Sequence, residues 1–293
     1  MSTVLITGTS TGFGHLTARA LAAAGHTVFA TMRNSQKQNA DRAAALREYA
    51  ASVAGSITVL DLDVTDDGSV EAAVAAASAD GPLDVVVNNA GSGVAGWAEA
   101  FTVEQFQRVL DTNLLGSHRV NRAVLPAMRA RGEGLIVQVT STAGRFVIPF
   151  CAPYVASKFA LEGYAETLRY EVAPSGVEVV IVEPGAYGTN FKSGMVAAAD
   201  VEREKSYGDQ AELPHQVWSG LMASLEVPGA PDPQEVADAI VQVVAAPKGS
   251  RPVRVVVDAM MGDGIRGING LSDQIQEGLF GAIGMAHMLS VKK

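Results

Sequence analysis

Cysteine is nearly absent: Cys151 is the only one in 293 residues. One thiol forms no intramolecular disulfide, and a cysteine-rich metal site is excluded by count. The histidines, His15, His26, His118, His215 and His287, show no ligand-type spacing, so no metal is expected. Basic charge is also short, with 22 Lys+Arg against 31 Asp+Glu and a formal net charge of −9. Such a chain has no general attraction for phosphate backbones or anionic lipid, so neither nucleic acid nor a membrane surface is an expected partner. A local basic spot can still hold one phosphate. No apolar run reaches the ~18 residues of a membrane span. The longest candidate, 278–289, is broken by Gly and His. Val4-Leu5-Ile6 follows Met1 so closely that no signal peptide is expected, and a reduced cytoplasmic compartment is the simplest setting.

What the chain does have is 48% apolar residues, 18% charged residues and 30 glycines. That is a soluble globular profile with a large core and many tight turns. A prior of ~150 residues per domain suggests two domains, although one α/β domain also fills this length. Short β-branched runs alternate with alanine-rich helical stretches. The runs are Val4–Ile6, Thr27–Ala30, Ile57–Leu60, Leu83–Val87, Leu135–Val139, Val177–Val182 and Val253–Val257. Thr102 with Gln105 forms a capping-box signature for a helix reaching about Met128, and a further helix is expected from about Pro153 to Val172. Near-continuous apolar strands between helices imply a parallel sheet covered on both faces. The expected fold is therefore α/β: a doubly wound Rossmann-type sheet of about seven strands in a single domain over 1–293. Two stretches break the rhythm. A long insert at about 185–233 reads as a lid or pocket wall, with a helix near 216–225. The tail 259–293 is rich in Gly and Met, and it could cover the pocket or a subunit contact.

Directly after the first strand stands Thr7-Gly8-Thr9-Ser10-Thr11-Gly12-Phe13-Gly14. Glycines there allow close backbone approach to a pyrophosphate, and the helix amino end supplies free N–H donors. A structural turn is the bland alternative. The second strand ends Thr31-Met32-Arg33-Asn34, without the carboxylate that would bond a ribose 2′-OH. Arg33 offers a forked cation suited to a 2′-phosphate, so NADP(H) is expected in preference to NAD(H), unless Arg33 is simply a solvated loop residue. Tyr154 and Lys158 are four apart, which places them on one helix face about 6 Å apart along the axis. An ammonium near a phenol should lower its pKa by ~2 units and bring it into a useful range for proton transfer.

The spacing Thr-Gly-x-x-x-Gly-x-Gly resembles the short-chain dehydrogenase/reductase family, and further segments agree in order. These are Asn88-Asn89-Ala90-Gly91, Asn113, Ser141, Tyr154-x-x-x-Lys158, Pro184-Gly185 and Thr189. The likeness covers about residues 3–258. The segment 25–33 and the Asn113–Tyr154 spacing look like the retinol and 17β-hydroxysteroid dehydrogenase side of that family. The resemblance implies an oxidoreductase with catalytic Asn113, Ser141, Tyr154 and Lys158. Ser141 would bond the substrate oxygen, Tyr154 would move the proton, Lys158 would hold the nicotinamide ribose, and Asn113 would anchor a water. It implies cofactor contacts at Gly8, Ser10, Thr11, Gly12, Phe13, Gly14, Arg33, Asp63, Val64, Asn89, Ala90, Gly91, Tyr154, Lys158, Pro184, Gly185, Tyr187 and Thr189. Read alone, Ser141 could be a turn hydroxyl, Asn113 a helix cap or kink, and Thr189 a loop cap. Cys151 reads as a packed side chain.

Trp97, Phe146, Phe150, Tyr187, Met195 and Trp218 are candidates for an apolar substrate wall. No cation stands out for an anionic substrate, so a hydrophobic or aromatic ketone, aldehyde or secondary alcohol is expected. In similar enzymes the helices carrying Asn113 and Tyr154 often pair, which implies a homodimer or homotetramer. Two other readings remain open: a dinucleotide-binding redox sensor or scaffold without turnover, and a sugar-nucleotide epimerase or dehydratase. The latter usually carries Gly-x-x-Gly-x-x-Gly and a larger carboxy-terminal domain, neither of which is present.

Overall fold

The computed structural model describes residues 1–191 and 194–292. The apolar runs form β1 (Thr3–Ile6), β2 (Thr27–Met32), β3 (Ser56–Asp61), β4 (Val85–Asn88), β6 (Gly134–Val139), β7 (Val177–Pro184) and β9 (Arg254–Val257). They pair in parallel throughout, in the order β3-β2-β1-β4-β6-β7-β9. A second, two-stranded parallel sheet joins β5 (Val94–Ala95) to β8 (Val196–Ala197) and pins the insert to the body. This is the single-domain Rossmann-like fold expected from the alternation.

The alternation of strand side chains divides the core into two layers. Val4 and Ile6 on β1, with Val137 and Val182, pack against α1 (Gly12–Ala23), α2 (Ala40–Ala50) and α9 (Gln234–Ala245). Leu5, Val86, Ile136 and Val179 face the other way, onto α3 (Asp67–Ala77), α5 (Gly116–Arg131) and α6 (Ala152–Val172). β1 lies between β2 and β4, so successive crossovers leave it in opposite directions. A crevice opens at the carboxyl ends of the strands at such a switch point, which is where open α/β sheets place their ligands.

The helix expected to run unbroken to about Met128 is interrupted. The capping box at Thr102 and Gln105 starts α4 (Val103–Leu110) as read. A π-helical segment then spans Asp111–Leu115 before α5 continues. Single π turns inside helices are frequent at functional sites, and Asn113 sits in the middle of this one.

The insert contains α7 (Val201–Lys205) and α8 (Leu213–Ser224), the latter close to the helix expected there. The tail forms α10 (Gly262–Ala282), which buries Ile265 and Asn269. Among the described residues no helix is long and apolar enough to cross a membrane.

Candidate active site

The glycine loop is held from behind. Thr7 Oγ1 accepts the backbone N–H groups of Asn89 and Ala90, both at 3.0 Å. Asn89 Nδ2 donates to the carbonyls of Thr7 and Gly8 at 2.9 and 3.1 Å. Asn89 therefore braces the loop as well as lining the crevice. Gly8 and Gly12 adopt φ of +71° and +58°, a region that favours glycine. Gly14 is needed for a different reason: a Cβ there would stand 2.4 Å from Asn89 Nδ2 and 2.5 Å from Gly8 O. Thr11 caps α1 without a side-chain bond, and no acid lies in the first turn, so that helix end suits an anion.

A cavity of about 510 Å³ runs from this loop along the strand ends. Its walls include Gly8, Ser10, Thr11, Gly12, Phe13, Arg33, Asp63, Val64, Asn89, Ala90, Gly91, Ser141, Tyr154, Lys158, Pro184, Gly185, Tyr187 and Thr189. Arg33 and Asp63 stand at one end, their side chains 4.0 Å apart and the arginine 66% exposed. Asp61, the last residue of β3, accepts from the backbone of Asn34 and Ser35, so no free carboxylate occupies the end of β2. At the other end Phe146 and Trp218 line the wall with Ile148, Phe191, Leu221, Met222, Met260 and Met261.

Three of the substrate-wall candidates stand off the cavity wall. Trp97 stacks on Tyr207 at 3.7 Å and meets Phe150 edge-on at 5.0 Å, so these rings fasten the insert to the body rather than face the cavity. Phe150 carries a φ of +64°, which turns it towards Trp97. Met195 lies against the backbone at Gly93 and is also outside the cavity wall. The phenol of Tyr187 lies within 3.1 Å of Glu235 Oε2 and 3.2 Å of Val257 O, so it is committed away from the site although its ring lines it.

Tyr154 and Lys158 rise from the first turns of α6, whose start is marked by a proline. Lys158 Nζ lies 5.7 Å from the centre of the Tyr154 ring and donates to Val139 O at 3.2 Å. Ser141 caps the turn after β6, its Oγ accepting the N–H of Ala143 at 3.1 Å and also reaching Tyr154. The expected lowering of the phenol is not what the environment gives. Burial pushes Tyr154 up to about 12, with the Ser141 hydrogen bond acting against it. Burial likewise brings Lys158 down to about 8, opposed by the charge of Glu162. The phenol faces a large cavity, so what fills that cavity sets its working value. Cys151 is fully buried and pushed up to about 12 by burial, as a packed side chain should be.

Asn113 stands behind the pair. Its Nδ2 donates to Ser92 O at 3.0 Å and to Ser157 Oγ at 2.9 Å, and its Oδ1 accepts the N–H of Ser92 at 2.8 Å. Both amide hydrogens thus have protein acceptors. Ser157 was missed in the sequence, where a helix-interior serine carries no signal.

The comparisons with known proteins agree with this geometry. The short chain dehydrogenase family model matches residues 2–200. An uncharacterized oxidoreductase, YusZ, of Bacillus subtilis is 38% identical over 82% of this chain and 83% of its own length. Human retinol dehydrogenase 8 is 35% identical over 83% of this chain and 78% of its own. Human 17-beta-hydroxysteroid dehydrogenase type 1 is 35% identical over 84% and 74%. Among solved structures, a short-chain dehydrogenase from Streptomyces avermitilis superposes with a TM-score of 0.74 at 30% identity, covering 97% of both chains. A variant of actinorhodin polyketide ketoreductase with NADPH gives 0.70 at 29% identity, over 88% of this chain and 95% of that one. The chain belongs to the short-chain dehydrogenase family, on its retinol and 17β-hydroxysteroid dehydrogenase side, and is an oxidoreductase acting between CH–OH and C=O groups.

Proposed function

We propose that the protein transfers a hydride between NADP(H) and a hydrophobic or aromatic ketone, aldehyde or secondary alcohol, with Tyr154 as general acid and base. The observation that carries this reading is one continuous wall: the glycine loop, Ser141, Tyr154 and Lys158 line the same cavity, which ends in apolar side chains. The residues present fit a dinucleotide. The α1 amino end offers donors without a competing acid, and the backbone at Gly8 and Gly12 keeps the loop low. At the far end Arg33, with Asp63 4.0 Å from it, supplies a planar cation for a 2′-phosphate, and the Asp61 carboxylate is taken up by the backbone of Asn34 and Ser35. When bound there, the dinucleotide supplies or accepts the hydride.

The chain's own residues do the rest. In reduction Ser141 donates to the carbonyl oxygen and Tyr154 delivers the proton to it. In oxidation Tyr154 accepts the hydroxyl proton. Lys158 holds the ribose and places positive charge beside the phenol, which favours its anion as it forms. Asn113 fixes the α6 turn through Ser157. The names of the retinol and hydroxysteroid relatives, both apolar alcohols, are consistent with the apolar end of the cavity.

The exposed Val103, Leu115 and Phe159 on the segments carrying Asn113 and Tyr154 support a homodimer or homotetramer built through those faces. The cofactor reading is tested by Arg33→Ala. The KM for NADPH should rise about tenfold, the size of one charge-assisted contact, with that for NADH unchanged. Equal effects on both would remove Arg33 from phosphate recognition.

A further inference from the structure

A group of buried carboxylates stands one helical turn behind Lys158 and takes no part in the chemistry assigned above. Glu162, Glu166 and Glu183 are all buried. Arg254 reaches them at 3.4, 2.7 and 3.5 Å, and also meets Asp273 of α10 at 3.1 Å. Arg145 is the other cation that acts on Glu162 and Glu183. Two guanidinium groups against four carboxylates leave negative charge over, and buried charge of that kind acts on whatever cation is near. Glu183 is raised by burial and by the charge of Glu162, so Glu183 takes up the proton and Glu162 keeps its charge.

Glu162 follows Lys158 by four residues on α6, so the two share one face. Side chains on a helix lean towards its amino end, which carries the Glu162 carboxyl back over the Lys158 turn. Both side chains come to the same corner at the end of β6. Lys158 Nζ donates to Val139 O at 3.2 Å, and Glu162 bears on the next residue, Thr140. The turn that carries Ser141 is packed onto them: a Cβ at Gly144 would stand 2.8 Å from Glu162 Cγ and 3.0 Å from Lys158 O. Thr140 Oγ1 itself donates to Val182 O at 3.1 Å, and Glu162 Oε1 is buried without a donor of its own.

We propose that Glu162 is a positioning residue: its carboxylate is the counter-charge that holds Lys158 as an ammonium beside the phenol of Tyr154. This rests on the role given to Lys158 above and adds the group that sustains it. Glu162 is the charged group facing Lys158, and the Tyr154 ring lies 5.7 Å from Lys158 Nζ on the other side. The groups facing Glu162 are Arg254 of β9, Arg145 after the Ser141 turn, Glu166 on α6 and Glu183 of β7. Burial acts against the ammonium and Glu162 acts for it. An uncharged side chain at this position therefore leaves the burial of Lys158 unopposed.

The test follows the ε-carbon resonances of carbon-13-labelled lysine in the full chain without dinucleotide, with Lys158 assigned by its loss in Lys158→Met. In the wild type this lysine should titrate at about 8. Glu162→Gln should lower the midpoint by about one pH unit, a tenfold change in the balance of ammonium and amine. Glu162→Asp draws the charge back by one methylene and should fall between the two. Glu166→Gln disturbs the same Arg254 cluster from the same helix and should leave the midpoint where it is. The alkaline limb of kcat for ketone reduction should move with the resonance. An unchanged midpoint in Glu162→Gln, or an equal fall in Glu166→Gln, overturns the assignment. If Glu162→Gln does not fold, an unchanged midpoint in Glu162→Asp does the same. A resonance that shifts while the kcat limb stays removes Glu162 from the reaction. The resonance needs no turnover, so a shifted midpoint in a chain that reduces no ketone would sink the reductase reading and leave Glu162 as the counter-charge of Lys158.

Discussion

Asn113 donates to Ser157 Oγ at 2.9 Å, and Ser157 donates in turn to the carbonyl of Tyr154 at 2.7 Å. The π turn at Asp111–Leu115 is thereby coupled to the turn of α6 that carries the tyrosine. A regular helix would rotate Asn113 off this line, since each extra residue shifts the side-chain direction by about 100°.

Ser157→Ala should therefore damage positioning more than stability. Losing one buried hydrogen bond costs about 1 kcal/mol, whereas a displaced proton donor should lower kcat by about tenfold or more. Thr at the same position keeps the hydroxyl and should recover much of kcat. Measuring kcat and melting temperature for both variants checks this. Equal kcat in the wild type and Ser157→Ala would leave the coupling without consequence.

The environments of Lys158 and Tyr154 set a pH dependence for reduction. Tyr154, pushed up to about 12 by burial, stays protonated through the neutral range. Lys158, brought down to about 8 by burial, loses its charge as pH rises through that value. Reduction should therefore be level below about 8 and decline above it, while the phenol remains able to donate. The stability sign is opposite to that of a paired lysine. The folded protein disfavours the ammonium, so the penalty is present below about 8 and is relieved as pH rises towards the ordinary 10.5. Lys158→Met should raise the melting temperature at neutral pH while removing activity. A reduction rate that climbs through pH 8, or a destabilised Lys158→Met, would contradict this assignment.

A second titration is built into the attachment of the tail. Arg254 is buried among Glu162, Glu166, Glu183 and Asp273, the last on α10, and Asn269 of α10 donates to Glu183 at 2.6 Å. Glu183 is fully buried and raised to about 7, first by burial and then by the neighbouring Glu162, with Arg254 and Arg145 acting against this. The protonated form is the one the folded state favours, so its contribution to stability is complete below about 4.5 and lost as pH rises through about 7. The wild type should lose of the order of 3 kcal/mol across that window, and Glu183→Gln should lose less. Chemical denaturation at several pH values measures the difference. Parallel curves for the two proteins would show that Glu183 does not titrate in this window.

The fold and the grouping of the candidate site residues were legible because both are local in sequence. Strand periodicity, the glycine loop and the Tyr154–Lys158 interval each depend on residues a few positions apart, and the cavity brings these groups together. What escaped depends on distant partners. The π turn reflects bonds from Asn113 to Ser92 and Ser157, which no propensity encodes. Trp97 and Phe150 read as substrate walls because apolar residues near a site look alike until Tyr207, far along the chain, stacks on one of them. The tail resisted assignment because Gly262, Gly264, Gly267, Gly270, Gly278 and Gly281 lower its helix propensity. Burial of Ile265 and Asn269 and the Arg254–Asp273 pair compensate in three dimensions.

The central claim is that Tyr154 carries the proton beside a bound nicotinamide. The most direct test follows nicotinamide absorbance with a panel of apolar ketones, comparing the wild type with Tyr154→Phe at equal dinucleotide saturation. The account predicts a loss of kcat by about 10²–10⁴-fold, the usual contribution of a positioned acid, with dinucleotide affinity retained. Full turnover by Tyr154→Phe on a substrate that the wild type reduces would contradict it.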